Sequence, residues 1–244
     1  MVFARRIAEI FAKELGALLF ASPCLICEGE DGPICSGCRD ELIEANVAQC
    51  PRCALSVGPY SDIREGCSEC RGRRLGFDSA YALGPYQGPI RALCLKLKST
   101  SGAWIARHLI DVLWDARGEK LRAEGAGVVV AVPLHWRRHL RRGYNQSEVL
   151  AEALAKRLGL RVIAPLRRVA STPKLYDRGR EERASLMRGA FLARRGADVK
   201  GRTVILVDDI LTTGATCGAA ARALKAAGAS RVVAVVVARA EGRA

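Results

Sequence analysis

The stretch RTVILVDDILTTGAT, residues 202–216, constrains this chain more than any other. Four apolar residues, Val204 to Val207, run straight into Asp208 and Asp209. Two threonines, a glycine and an alanine-rich, helix-forming run follow. An unbroken apolar run of this kind fits a strand covered on both faces, as in a parallel sheet. Ligands bind such sheets outside the carboxyl ends of the strands. The acid pair is therefore expected at a ligand crevice, directly after a strand over 203–207. The next turn opens a helix expected over 214–227, whose first N–H groups lack internal partners and favour an anion. Thr212, Thr213 and Thr216 add hydroxyl donors, and Gly214, followed by Ala215, lets the backbone approach closely. The turn suits a phosphate and the carboxylates suit hydroxyls beside it, which together describe a phosphorylated ribose. Two adjacent acids can also cap a helix or hold a metal. The phosphate loops GxxxxGK[ST] and GxGxxG are absent.

The rest of residues 76–244 reads as α/β. Strands are expected at Phe77–Gly84, Val128–Pro133, 160–166 and 231–237. Helices are expected at Gln87–Lys98, Trp104–Leu121 and Tyr144–Leu158, where the apolar residues repeat with helical period. Apolar strands alternating with helices predict a mostly parallel sheet. Residues 170–190 carry no clear core pattern and read as a long exposed connection with some hairpin character; such stretches usually have a task.

Eight of the ten cysteines form four CxxC pairs. These are Cys24/Cys27, Cys35/Cys38, Cys50/Cys53 and Cys67/Cys70. Two sulfurs separated by two residues can face one ion from a tight turn, and two such turns complete a tetrahedral thiolate site. Residues 23–75 are thus expected to be a double zinc ribbon. Sequential pairing and an interleaved, cross-braced pairing use the same residues. Saturation by sulfur points to structural zinc rather than Lewis-acid catalysis, and a segment with few large apolar residues would draw much of its folding energy from metal. A disulfide module is the rival reading, opposed by the regular pairing and the lack of a convincing export signal. Cys94 and Cys217 are expected to be packed small residues.

Residues 1–22 contain a short apolar stretch, but Glu9, Lys13 and Glu14 interrupt it. Ile7, Ile10, Phe11, Leu15, Leu18 and Leu19 fall on one face of a helix, so an amphipathic docked helix is expected rather than a signal peptide. No run approaches the length that spans a bilayer. Stable membrane insertion is therefore not expected, and a cytoplasmic location is. The formal charge is +14. Between Pro133 and Arg188, twelve arginines and two lysines face five acids, a net of +9. Such a field favours phosphates, on nucleotides, nucleic acid or a sugar phosphate.

The motif at 204–216 resembles the phosphoribosyl-pyrophosphate motif of type I phosphoribosyltransferases. With the paired cysteines, VPLHWRRHLRRGYNQSEVLA at 132–151 and RGAF at 188–191, nearly the whole chain resembles the ComF family. These are zinc-finger phosphoribosyltransferase-like proteins associated with bacterial competence and DNA uptake. The resemblance implies a type I phosphoribosyltransferase-like parallel sheet with a small N-terminal double zinc-ribbon domain. It implies that Asp208 and Asp209 contact ribose hydroxyls and that residues 212–216 cradle the 5′-phosphate. His135 and Arg137 would face pyrophosphate, and Arg142 with Gly143, Tyr144, Asn145 and Gln146 would form the pocket rim. Residues 168–190 resemble a mobile hood, with Thr172 and Arg183 at matching positions. The family's usual Gln, Leu and Asn there are replaced by Leu175, Arg178 and Leu186. The implied chemistry is transfer of ribose 5-phosphate from Mg²⁺-bound phosphoribosyl pyrophosphate, with Asp208, Asp209 and Arg137 at the reacting centre and Arg142, Lys174 or Arg183 offsetting charge. The alternative is a non-catalytic nucleotide sensor or an adaptor for single-stranded DNA or DNA-uptake proteins. Against strand binding, aromatic platforms such as Trp104, Trp114 and Trp136 are few.

Overall fold

A computed structural model describes residues 23–29, 31–44, 48–99, 101–134, 143–169 and 189–240. The helix expected over residues 1–22 and most of the 170–190 connection lie outside these. The chain divides into two compact units, residues 1–42 and 43–244. The described part of the first unit holds two CxxC turns and the start of helix α1 (Ser36–Glu44), with Cys38 and Leu42 on its buried side.

The second unit is built on five parallel strands. In chain order they are β1 (Ser79–Pro85), β2 (Val128–Ala131), β3 (Val162–Ile163), β6 (Thr203–Leu211) and β7 (Arg231–Arg239), arranged β1-β7-β6-β2-β3. Strands β4 (Leu166–Arg168) and β5 (Phe191–Ala193) form a separate antiparallel pair. The helices are α2 (Gly88–Leu97), α3 (Ile105–Ala123), α4 (Gln146–Leu158) and α5 (Ala215–Ala226), with a 3₁₀ turn at Gly102–Trp104. The expected parallel sheet is therefore present. The single strand expected over 160–166 is instead two, broken at Ala164-Pro165, because proline donates no ladder hydrogen bond.

Central strand β7 is buried beyond its first residue and β6 through its apolar run, with Val204 to Val207 and Val232 to Ala238 each at most 1% exposed. Burying one such side chain contributes about 1.5–3 kcal/mol. Alternation divides the strands between two faces. Val204, Leu206, Val232 and Ala234 share a core with Ala220 and Leu224 of α5 and with Cys50, Cys53, Cys67 and Cys70. Helices α2, α3 and α4 cover the sheet elsewhere, α4 against β2 and β6 and α2 against β7. Cys94 and Cys217 are both buried, as expected of small packed residues.

The two βαβ connections diverge at one place. β6 leads through α5 to β7 on one side, and β2 leads through α4 to β3 on the other. The carboxyl ends of β6 and β2 thus flank a topological switch point, where open α/β sheets bind ligands. No helix among the described residues is long and apolar enough to cross a membrane.

Candidate functional site

The strand carrying the acid pair runs to Leu211, four residues further than its apolar run predicts. Pairing with β7 continues to Leu211↔Arg239, whereas pairing with β2 ends at Ala131↔Val207. Asp208 and Asp209 therefore stand on an overhang of β6. There the carboxylates of the two acids accept backbone N–H bonds themselves: Asp209 N–H donates to Asp208 Oδ1 at 2.9 Å, and Ile210 N–H to Asp209 Oδ1 at 2.8 Å.

Neighbours in a strand point to opposite faces, and the two carboxylates meet different partners. Asp208 Oδ1 accepts the Ser147 hydroxyl at 2.9 Å, and its Oδ2 lies 3.7 Å from the Cys217 thiol of α5. Asp209 Oδ2 pairs with Lys98 Nζ at 3.1 Å, just past the end of α2. Ser147 is placed by Asn145, the N-cap of α4. The Asn145 Oδ1 accepts the Ser147 N–H at 3.1 Å, and its Nδ2 donates to Val132 O, also at 3.1 Å. One buried amide thus fastens the start of α4 to the end of β2 and sets Ser147 over the acids. Burial, then the nearby Asp209 carboxylate, push Asp208 up to about 7, against the pull of Ser147, the Asp209 N–H and Lys98. Burial, with Asp208 beside it, raises Cys217 as well, so that thiol stays protonated.

The turn after β6 opens directly into α5. Gly214 caps α5 with φ 79° and ψ 3°, a left-handed conformation suited to glycine. Thr213 Oγ1 accepts the Ala215 N–H at 3.3 Å. Thr212 is exposed, and Thr213 and Thr216 are half-buried. Asp208 Oδ1 is filled by the Ser147 hydroxyl and the Asp209 N–H, but Asp208 Oδ2 and both Asp209 oxygens each have capacity for a further hydrogen bond, so an incoming hydroxyl can be accepted without displacing Ser147.

The structure brings Asp208, Asp209 and residues 212–216 together. His135, Arg137 and Arg142, with Thr172, Lys174 and Arg183 of the expected hood, lie outside the described residues. Ser147, Lys98 and Cys217 were not marked by the sequence as site residues. Ser147 sits beside the RG-aromatic-NQ stretch, which was a usable signal; Lys98, at the end of a helix far away in sequence, had none. Tyr144 of that stretch donates to the carbonyls of Leu97 and Ser99, which ties it to the turn that carries Lys98.

The cysteines gather in sequential order. Cys24, Cys27, Cys35 and Cys38 form one group and Cys50, Cys53, Cys67 and Cys70 another, each with all sulfurs within 4.8 Å of one another. The four CxxC turns repeat one hydrogen bond, from the N–H after the second cysteine to the carbonyl of the first: Glu28 to Cys24, Arg39 to Cys35, Ala54 to Cys50 and Arg71 to Cys67, at 2.8–2.9 Å. Glu28 and Ala54 take positive φ, 63° and 57°, to close their turns. Four thiolates around zinc at about 2.3 Å stand about 3.8 Å apart. The close pairs, Cys27–Cys35 at 3.6 Å, Cys50–Cys70 at 3.6 Å and Cys53–Cys67 at 3.4 Å, fit that donor set.

A phosphoribosyl transferase domain model matches residues 145–244, which include Ser147, the acid pair and the turn at 212–216. The sheet, its switch point and this match define a phosphoribosyltransferase-like protein. The chain is 32% identical over 206 residues to "DNA utilization protein YhgH" of Salmonella typhi, covering 82% of this chain and 87% of that one. It is 28% identical to "Competence protein F" of Haemophilus influenzae, over 86% of this chain and 93% of the relative. "Competence protein ComFC" of Bacillus subtilis is 24% identical, over 87% and 92% respectively. With its two cysteine tetrads and phosphoribosyltransferase-like sheet, the chain belongs to the ComF family.

Proposed function

We propose that this protein binds phosphoribosyl pyrophosphate with Mg²⁺ at the end of β6, and uses that pocket in handling incoming DNA. The observation that carries this reading is the overhang. Two carboxylates stand beyond the end of β2, next to a helix-opening turn with threonine hydroxyls and a glycine cap. The turn's N–H groups and hydroxyls hold the 5′-phosphate, and Asp208 and Asp209 accept the ribose hydroxyls. Mg²⁺, bound by pyrophosphate and ribose oxygens, would neutralise charge on the leaving group. Lys98 keeps Asp209 in place, and Ser147 keeps Asp208 in place, so that both acceptors are oriented before ligand arrives. Arg137 and Arg142, in the stretch after Leu134, supply positive charge toward pyrophosphate, with His135 beside them. The DNA connection rests on the relatives' names, and a cytoplasmic location follows from the same reading.

Calorimetric titration with Mg²⁺ and phosphoribosyl pyrophosphate tests the pocket. Saturation near one ligand per chain is expected, and the double variant Asp208→Asn, Asp209→Asn should lose it. Equal binding by that variant would remove the site from the acid pair.

The net charge of +14 favours a second reading, in which the protein contacts single-stranded DNA or an uptake protein and the pocket only senses a nucleotide. Binding to an oligonucleotide that weakens steeply with salt supports it. Binding unchanged by alanine at Arg137, Arg138, Arg141 and Arg142 would remove the proposed DNA surface.

A further inference from the structure

The second cysteine tetrad and the phosphate turn are joined by two guanidinium groups. Arg239, the last residue of β7, is 4% exposed. Its Nε donates to the Cys53 carbonyl at 2.9 Å. Its Nη1 donates to the Leu211 carbonyl at 3.1 Å and the Thr212 carbonyl at 2.6 Å, and also reaches the carbonyl of Ala240. One planar fork therefore spans a metal-site turn and the first residue of the phosphate turn. Arg73 makes a second link. Its Nη1 donates to the Glu69 carbonyl at 2.9 Å, within the fourth CxxC turn, and its Nη2 donates to the Thr213 carbonyl at 3.1 Å. Arg52 closes the set by donating to the carbonyls of Cys70 and Arg73, at 3.2 and 2.9 Å.

Packing repeats the connection independently. A side chain at Gly218, in the first turn of α5, would lie 2.1 Å from the Leu75 carbonyl oxygen. One at Gly76 would lie 2.4 Å from the Gly218 carbonyl oxygen. The segment leaving the fourth CxxC turn thus crosses α5 backbone to backbone, one turn beyond Gly214. Phe77, next in sequence, lies 3.5 Å from where a side chain on Gly214 would begin.

We propose that Arg239 and Arg73 are positioning residues that make the second tetrad the support of the phosphate turn, so that its metal-held shape sets the turn's readiness for a sugar phosphate. This rests on the reading of residues 212–216 as the phosphate cradle. The turn's N–H groups face an anion only while its carbonyls are held away from it, and these guanidinium groups hold the carbonyls of Leu211, Thr212 and Thr213. Lysine cannot replace either arginine fully, because a single ammonium lacks the fixed fork that reaches both partners.

The test uses the zinc-loaded protein and four variants: Arg73→Ala, Arg73→Lys, Arg239→Lys and Arg64→Ala. Amide hydrogen exchange at residues 212–216 is followed without ligand, and ribose 5-phosphate affinity is measured by calorimetry. Zinc content and the melting temperature are followed beside them. Arg73→Ala is expected to keep its zinc, to exchange about tenfold faster at the turn and to bind ribose 5-phosphate about tenfold more weakly. Arg73→Lys should recover part of both losses, and Arg64→Ala, on the ribbon surface, should change neither. Unchanged exchange at 212–216 in Arg73→Ala would overturn the proposal, and so would faster exchange that came only with loss of zinc. Should Arg239→Lys fail to fold, Arg73→Ala decides alone. A parent protein that does not bind ribose 5-phosphate would defeat the pocket reading, while the exchange rates would still decide whether the tetrad supports the turn.

Discussion

The Ser147 hydroxyl donates to Asp208 Oδ1 across 2.9 Å, joining the first turn of α4 to the overhang of β6. The contact bridges the two elements that diverge at the switch point, so it fixes the width of the crevice as well as the carboxylate. Ser147→Ala removes one donor from a deep carboxylate. A loss of about 1 kcal/mol is expected, seen as about fivefold weaker binding of ribose 5-phosphate in calorimetry. Ser147→Thr, which keeps the hydroxyl, should bind more tightly than the alanine variant.

Asp208 gives stability a pH dependence opposite to that of a paired surface acid. Its folded value of about 7 lies above the ordinary carboxylate range. Between that range and about 7 the folded protein holds a proton that the unfolded chain has lost, so stability falls as pH rises through this window. It is fully present below the window and level above it. Melting temperatures from about pH 5 to about pH 8 should decline in the parent and decline less in Asp208→Asn. On the proposed function, in which ionised Asp208 accepts a ribose hydroxyl, ribose 5-phosphate binding should strengthen over the same interval.

Gly218→Ala sets two effects against each other. Helix propensity favours alanine by about 1 kcal/mol. The new Cβ, however, would stand 2.1 Å from a backbone oxygen that no rotamer can move. The clash should win, with a net loss of at least about 2 kcal/mol in a urea titration. A variant more stable than the parent would mean that the crossing with Leu75 is looser than described.

Metal analysis should find two zinc ions per chain, one for each sulfur group. The groups differ in access: Cys27 is exposed, whereas all four cysteines of the second group are buried. Release to a chromophoric chelator should therefore be biphasic, the fast phase from the first group. Cys27→Ser should abolish that phase and Cys67→Ser the slow one. Only the slow phase should coincide with loss of the folded signal, because Cys67 shares its core with the sheet.

Much of this architecture was legible because period and composition are local. The helix expected over Gln87–Lys98 is Gly88–Leu97 with those two residues as its caps, and Asn145 stops α4 two residues short of its expected start by capping it. Elsewhere the deciding partner was distant. Nothing local extends β6 beyond Val207, since polar residues usually end an apolar run; β7 carries the extension by pairing as far as Arg239. Phe191–Ala193 is too short to show a period and becomes a strand only against Leu166–Arg168. Spacing alone left two ways to join the CxxC pairs, and tertiary geometry selects the sequential one. In the site, the acids and the turn announce themselves because strand, charge and glycine fall in one stretch. Lys98 does not, because its role depends on where a helix ends rather than on its neighbours.

The reach of Arg239 to Cys53 spans 186 positions of the chain. During synthesis the cysteine turns emerge early and can take up metal long before β7 exists. Until residue 239 is made, the Cys53 carbonyl has no guanidinium, and until α5 forms, Leu75 and Gly76 have no helix to cross. Contacts so far apart in sequence form late and slow the approach to the native state. Nascent chains should therefore pass through a species that holds zinc before the turn at 212–216 is fixed, and β7 completes the join that Arg73 begins.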